Sequence, residues 1–598
     1  MTTPLRTWSG EDIPTFPPDI DALFARTRGP RDTRILVVGE AWGEKEAEHC
    51  MPFMGSSGRL LEEMLRSAGI NPQECLFSNL INSRPVNNDM RYFLLPNERG
   101  ATTVKGLRPN AQLLDGFKKL DSLIAHVRPD IIIGCGNWPL WFLSNTECVK
   151  TDHGYRVPYG IGSWAGSQLE LGASPVGYPR PQVAFLPVLH PAAVLRQYHW
   201  RIPTTIDLSR TTRYLQNPVT WFSQHDEQII IQPSPEQLRT FLSEHDGEWT
   251  CDLETYGQLI HIVGLSFGNT ACAIPFFHIH GDGSTTPTYN ERDFAAIWTI
   301  LSNFFQNPKL KLVGQNFLYD IQYIHKYFHA LPEVIFDTMV AQYILFPALA
   351  GFKGLDKLSR FYCDHHIYWK DERKESTKAE DTERACRYNA RDLFTTAESK
   401  QGLHKALVDS NRLHLFMERM ELFPVLRDMM LRGTKTNEVL RREQHKQCFD
   451  QMKKIGEWLD SVIPPELLPE SKSGTPWYRS PPQRIRLLYH TLGIQGGWDR
   501  EKEGFSTDKE VLAQLSVRYP HLQGLFSALI LYGSLSTIAS GYLSAPLGVD
   551  GRMHCSYNLA GPSTFRLASS SDAFNGGTNL QNILRERKPM DLLEQDIV

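Results

Sequence analysis

The ten cysteines of this 598-residue chain include no Cys-x-x-Cys pair. That absence argues against a zinc knuckle, and their scatter argues against a disulfide framework; a reducing compartment fits. An excess of either charge is also missing. Lys and Arg total 63 against 67 Asp and Glu, a formal net charge of −4. No global basic field announces nucleic acid, although a carboxylate-rich site can cancel basic grooves elsewhere. The opening "MTTPLRTWSGEDIPTF" lacks the basic region and apolar core of a signal peptide. No apolar run reads as approaching the roughly 18 residues a membrane span needs, so no membrane partner is expected. Neither an internal repeat nor a long low-complexity tract is visible. What is present is a globular composition, 41% hydrophobic and 22% charged, at a length that allows roughly three or four domains.

Residues 1–222 alternate strand and helix patterns. "RILVVGEA" (34–41), "CLFSNLINS" (75–83), "DIIIGCG" (130–136) and "VAFLPVLHP" (183–191) read as buried strands. "SSGRLLEEMLRSAG" (56–69) and "NAQLLDGFKKLDSLIAHVRP" (110–129) read as helices stopped by Gly and Pro. This predicts an α/β domain with a parallel sheet. A second unit, 223–408, begins with three successive strand patterns, from "EWTCDLET" to "ACAIPF", and continues as helix–strand–helix. The rest, 409–598, is mainly helical, with an Asp-Gly turn at 550–551 inside an expected hairpin. "HIHG" (278–281) and "CDHH" (363–366) lack zinc-site spacing and read as loop or surface residues, and the tryptophans of "NWPLWF" (138–143) as core.

The second unit carries the chemistry. "CDLET" places Asp252 and Glu254 two apart on a strand, hence on one face. Asp320 follows a strand at the start of a helix, and "RYNARD" sets Tyr388 and Asp392 four apart on one helical face. Carboxylate oxygens are the ligands hard cations require, and two such ions can clamp a scissile phosphate. In this order the set resembles the DEDDy 3′–5′ exonucleases, specifically the proofreading domain of family A DNA polymerases, with "VGQNFLYDIQYI", "FDTMVAQYIL" and "GLDKLSRFY" in succession. The resemblance implies a ribonuclease-H-like exonuclease domain. It implies two Mg2+ (or Mn2+) ions on Asp252, Glu254, Asp320 and Asp392, a water positioned by Tyr388, and a single-stranded DNA 3′ end as substrate.

Two further resemblances flank it. "ERMELFPVLRDMMLRGTKTN" (418–437), "STDKEVLAQLS" (506–516) and "LYGSLSTIASGYLSA" (531–545) resemble a family A polymerase thumb. "STFRLASS" with "NLQNI" resembles that family's primer–template-gripping signature, with Phe565 in place of Gly. Arg566, Asn579, Gln581 and Asn582 are the DNA-binding residues this implies. In front, "GEAWGEKEAEHCMPFMGSSGRLL" (39–61), "SNLINSRPVNN" (78–88) and "LHPAAVLR" (189–196) resemble family 4 uracil-DNA glycosylases. The implied pocket is Glu40, Phe53, Asn79 and His190, at the carboxyl ends of the predicted strands. Trp42, Ala47 and Cys50 depart from the motif, and the family's cluster cysteines are missing, so no iron–sulfur cluster is expected. Three readings stay open for this domain: an active glycosylase, base sensing without cleavage, and a structural or DNA-tethering role.

The expected architecture is therefore multidomain α/β: a uracil-DNA glycosylase-like domain (1–222), an exonuclease domain (223–408), and a helical thumb with the start of a palm (409–598). The expected function is that of the N-terminal portion of a phage-type family A DNA polymerase, cytoplasmic in an infected bacterial host. The alternatives are an accessory DNA-binding subunit and a uracil-DNA repair protein. "LLEQDIV" (592–598) resembles the palm strand bearing the first catalytic carboxylate, which makes Asp596 a metal-ligand candidate. A second polypeptide carrying the remaining palm and fingers is the implied partner.

Overall fold

The structure, a computed structural model, describes residues 20–96, 103–150, 156–222, 227–371, 381–469, 474–499 and 504–583. Asp596 lies outside the described residues. The chain divides into two compact units. The first comprises the described residues up to Thr255 with Ile260–Gln315 and Pro332–Met417. The second comprises Tyr256–Leu259, Asn316–Leu331 and the described residues from Glu418 onward.

The first unit contains two large sheets. In the front one, β1 (Ile35–Ala41), β2 (Cys75–Ile81) and β3 (Ile131–Cys135) are mostly apolar and buried, as strands covered on both faces are, with the polar Glu40, Ser78 and Asn79 toward the carboxyl ends of β1 and β2. Two further strands follow, the two-residue β4 (Leu169–Glu170) and β5 (Ala184–Val188). The order is β2-β1-β3-β5-β4. The first four run parallel and β4 is an antiparallel edge that the sequence reading did not foresee. The helix Ser56–Ser67 buries Leu60, Leu61, Met64 and Leu65 on one face of the sheet. Ala111–Val127 covers the other with Leu113, Phe117 and Leu120. Trp138 and Trp141 are core residues, as expected.

The second sheet holds β6 (Gln228–Ile231), β7 (Glu248–Tyr256), β8 (Leu259–Phe267), β9 (Thr270–Pro275), β10 (Lys311–Gly314) and β11 (Glu333–Asp337), in the order β11-β10-β7-β8-β9-β6. It is mixed: β10 runs parallel to β7 and β11, and β9 antiparallel to β8. The helix Thr382–Asp409 lies on it, with Ala385 and Cys386 against Ile262 and Ala273, and Ala390 and Leu393 against Ala271. One expectation fails here. His366 of "CDHH" is not a surface residue but 1% exposed, its Nδ1 2.8 Å from the Ser359 hydroxyl.

The second unit is built on the helices Glu438–Val462, Lys509–Arg518 and Gln523–Thr537 around Leu459, Leu515, Phe526 and Leu535. Against expectation, the continuous helical stretch Pro520–Leu543 is long and apolar enough to cross a membrane, by length and composition. Ser, Thr and Gly residues interrupt the run and mask it in the sequence. Its Leu525, Phe526, Leu529 and Leu535 belong to the helical core. The Asp550-Gly551 turn forms, with Gly551 at φ +70°. Its strands pair elsewhere: Arg552–Met553 with Thr434–Lys435, and Ser556–Asn558 with Ala568–Ser570.

Candidate active site

Strand β7 carries Asp252 and Glu254 on one face. The helix Thr382–Asp409 carries Tyr388, Asn389 and Asp392 toward the same region. One ligand atom from each of Asp252, Glu254 and Asp392 lies within 4.8 Å of the others. Glu254 is 8% and Asp392 5% exposed. Three acids held this close, Glu254 and Asp392 buried and Asp252 half-buried, repel one another unless countercharge or hydrogen bonds compensate.

The structure supplies the donors. Asn389 Nδ2 donates to Asp252 Oδ2 at 2.8 Å. Asn389 is itself buried against β8, where a Cβ on Gly264 would stand 2.0 Å from its Oδ1, so glycine is what lets this side chain in. Asp392 receives Trp369 Nε1 at 2.7 Å on Oδ1 and Lys370 Nζ at 2.6 Å on Oδ2. The same ammonium donates to Tyr388 Oη at 2.8 Å. Asp320 opens the helix Asp320–Phe328, buried, and is described with the second unit; the group of three does not include it.

The front sheet positions a second set. Gly39 on β1 is in register with Asn79 on β2. A Cβ on Gly39 would meet Asn79 Oδ1 at 2.2 Å and the tip of the Phe53 ring at 2.8 Å, so these two side chains converge over a bare backbone position. Phe53 holds φ +57° and is buried. Glu40 accepts a hydrogen bond from the Trp138 backbone at 3.3 Å. His190, just past β5, accepts one from the Ala192 N–H at its Nδ1, 3.2 Å away, which leaves the proton of the neutral ring on Nε2. Burial pushes the His190 pKa down, against an opposing pull from Glu40. Glu46, buried and not foreseen as a site residue, accepts from the Gly55 N–H at 3.2 Å and ties the loop around Phe53. Cys75 and Cys135 are buried in β2 and β3, and Cys50 is exposed.

Residues 27–216 match the family described as the uracil DNA glycosylase superfamily, and residues 245–408 match the 3′–5′ exonuclease of family A DNA polymerases. The chain joins a uracil-DNA-glycosylase-superfamily domain to a 3′–5′ exonuclease domain. It is similar to DNA polymerase I of Chloroflexus aurantiacus, 27% identical over 344 residues, 54% of this chain and 33% of that one. It is also similar to the type-4 uracil-DNA glycosylase of Thermotoga maritima, 35% identical over 122 residues, 20% of this chain and 55% of that one. The chain thus spans about a third of the polymerase relative and about half of the glycosylase relative. A solved POL domain from M. smegmatis, in complex with DNA primer-template and dNTP, aligns over 61% of this chain and 58% of that one, with 18% identity and a TM-score of 0.44.

Beyond the exonuclease domain, in the second unit, Arg566 is exposed next to Phe565. Phe565 keeps φ +61°, the left-handed region where glycine is at ease. Its carbonyl accepts from Arg419 Nη1 at 3.2 Å. Asn579 caps the short helix Leu580–Asn582, its Oδ1 accepting from the Gln581 N–H at 3.1 Å and from the Ser569 hydroxyl at 2.5 Å. Gln581 and Asn582 are exposed. A cleft of about 540 Å3, lined by Asn316, Tyr319, Ser556, Ser569 and Asp572 among others, lies in this unit.

Sequence reasoning missed Asn389, Trp369 and Lys370 in the exonuclease domain. Asn389 stands inside "RYNARD", between the two residues singled out there, and its polarity on a helix facing a sheet was the available signal. Trp369 and Lys370 carry no motif.

Proposed function

We propose that the chain is a metal-dependent 3′–5′ exonuclease of DNA that serves as the N-terminal, proofreading portion of a family A DNA polymerase. The observation that carries this reading is the gathering of Asp252, Glu254 and Asp392 in a domain that matches the 3′–5′ exonuclease family. Every donor in the group is a carboxylate oxygen, the ligand type of Mg2+ and Mn2+, so the residues fit a hard divalent cation. Bound there, such ions would supply an activated water and neutralise charge at the scissile phosphate. We read two ions, with Asp320 as a further ligand on its place in the sequence.

The protein's own contribution is positional. Asn389 and Trp369 hold Asp252 and Asp392 in fixed rotamers, so the carboxylates need little reorganisation. Tyr388, one helical turn before Asp392, is read as orienting the attacking water. Arg566, Asn579, Gln581 and Asn582 are read as contacts to a primer–template. Nucleotide addition is read as requiring the remaining palm and the fingers of such a polymerase.

A second reading, recognition of an extruded uracil by the front domain, is favoured by the convergence of Asn79 and Phe53 over Gly39. Asn79 would read a base edge, Phe53 would stack, and His190 Nε2–H would meet a uracil oxygen. One substrate separates the two. A 5′-labelled single strand carrying one internal uracil is incubated with the full chain and Mg2+. The exonuclease reading expects a ladder shortening from the 3′ end, and its absence contradicts that reading. An alkali-labile break at the uracil that persists in Asp252→Ala establishes the second.

A further inference from the structure

Lys370 lies outside every motif that marks the carboxylates, yet its ammonium sits on them. Nζ is 2.6 Å from Asp392 Oδ2 and 2.8 Å from Tyr388 Oη, and 4.9 Å from the centre of the Tyr388 ring. The other oxygen of Asp392 is taken by Trp369 Nε1. Both oxygens of a buried carboxylate therefore carry donors, and one donor is a cation. A divalent ion drawing on Asp392 must share or displace one of them.

The two donors differ in how readily they yield. Trp369 is 2% exposed and packed in the core. The Lys370 side chain is 26% exposed and ends a flexible four-carbon stem. An ammonium beside an incoming divalent cation is also repelled by it. Lys370 is the group that moves, and a displaced ammonium at the edge of a phosphodiester site finds its next anion on the substrate.

Resting on the exonuclease reading, we propose that Lys370 is a resident counter-cation that competes with the divalent ion for Asp392 and passes to a phosphate oxygen of the 3′-terminal nucleotide when the ion loads. Metal binding and phosphate binding then favour each other, each by the same factor. The lysine also holds the acid group together in the absence of metal.

The test reads metal binding without turnover. Free Mn2+ is titrated by EPR against the full chain, and the component lost in Asp252→Ala is taken as the site. Lys370→Met, which keeps the stem and removes the charge, should bind Mn2+ on the order of tenfold more tightly than wild type. Lys370→Arg should bind like wild type. Thymidine 5′-monophosphate, with a phosphate but no scissile bond, should raise Mn2+ affinity in wild type and much less in Lys370→Met. Equal Mn2+ affinity in wild type and Lys370→Met, with unchanged circular dichroism, overturns the proposal and leaves the metal site standing. Lys370→Gln repeats the comparison should Lys370→Met misfold. No Asp252-dependent Mn2+ binding in any of these proteins overturns the proposal together with the exonuclease reading.

Discussion

Asn389 does for Asp252 what the carboxylate cannot do alone: it fixes one oxygen and leaves the orientation of the other determined. Partners of metal-ligating groups typically matter by about 10–100-fold in metal affinity or activity. Asn389→Ala should lower exonuclease kcat/KM within that range while the chain stays folded, as steady-state kinetics and thermal unfolding together would report. Asp252, Glu254, Tyr388 and Asp392 were legible in the sequence because periods of two and four residues define shared faces. Asn389 offered only its polarity on a helix facing a sheet, and Trp369 and Lys370 offered nothing, because their meaning lies in hydrogen bonds across elements that no local pattern encodes.

Two buried histidines make stability depend on pH. Burial pushes the His261 pKa down to about 4 and holds that of His366 well below its ordinary value. In the unfolded chain both titrate near 6.5. Above that pH both states are neutral and the full stability is present. As pH falls below about 6.5 the unfolded chain takes up protons that the folded chain refuses, so stability falls until the folded pKa is reached. For His261 alone the loss is on the order of 3 kcal/mol once the folded pKa is passed. The unfolding midpoint in urea should drop between pH 6.5 and 4.5, and His261→Gln should flatten that slope; a slope unchanged in the variant would refute the assignment.

At the scale of elements, the helix Arg201–Gln216 of the front domain meets the helix Leu355–Tyr362 of the exonuclease domain within the first compact unit. Asp207 and Arg360, 0% and 1% exposed, form a two-pronged ion pair there, with Nε 2.6 Å from Oδ1 and Nη2 on Oδ2. Arg210 spreads over the carbonyls of Arg360, Cys363 and Asp364 at 2.8–3.1 Å, where the second helix ends. Removing one partner of such a pair strands the other charge in the core, at a cost of about 3–5 kcal/mol. Asp207→Ala should lower the unfolding free energy by that amount, and Asp207→Leu with Arg360→Met should recover most of it. Chemical denaturation of the three proteins checks both statements.

The elements themselves were readable wherever burial imposes a pattern, as in β1, β2 and β3. They were less readable where a distant partner decides. The Asp550-Gly551 turn is encoded locally, but Arg552–Met553 pairs with Thr434–Lys435, more than a hundred residues earlier. His366 looked like a surface histidine because its burying partners, Gln168 and Ser359, come from two different domains.

At the scale of the molecule, the front domain and most of the exonuclease domain share one compact unit, and the buried Asp207–Arg360 and Arg210 contacts tie the stability of one to the other. The front domain's glycine at position 39 provides a check on its pocket. Gly39→Ala would drive a methyl into Asn79 and Phe53. It should abolish any uracil binding measured by tryptophan fluorescence, while leaving 3′-end trimming within about twofold of wild type, as expected for sites that do not share contacts.

The central claim is that Asp252, Glu254 and Asp392 act together, through a divalent metal, on the last phosphodiester of a DNA strand. The most direct test is release of a labelled 3′-terminal nucleotide from single-stranded DNA by the full chain. The account predicts mononucleotide release that requires Mg2+ or Mn2+, stops on chelation, and is lost in both Asp252→Ala and Asp392→Ala. Release that persists in either variant, or none from the wild type with metal present, would contradict it.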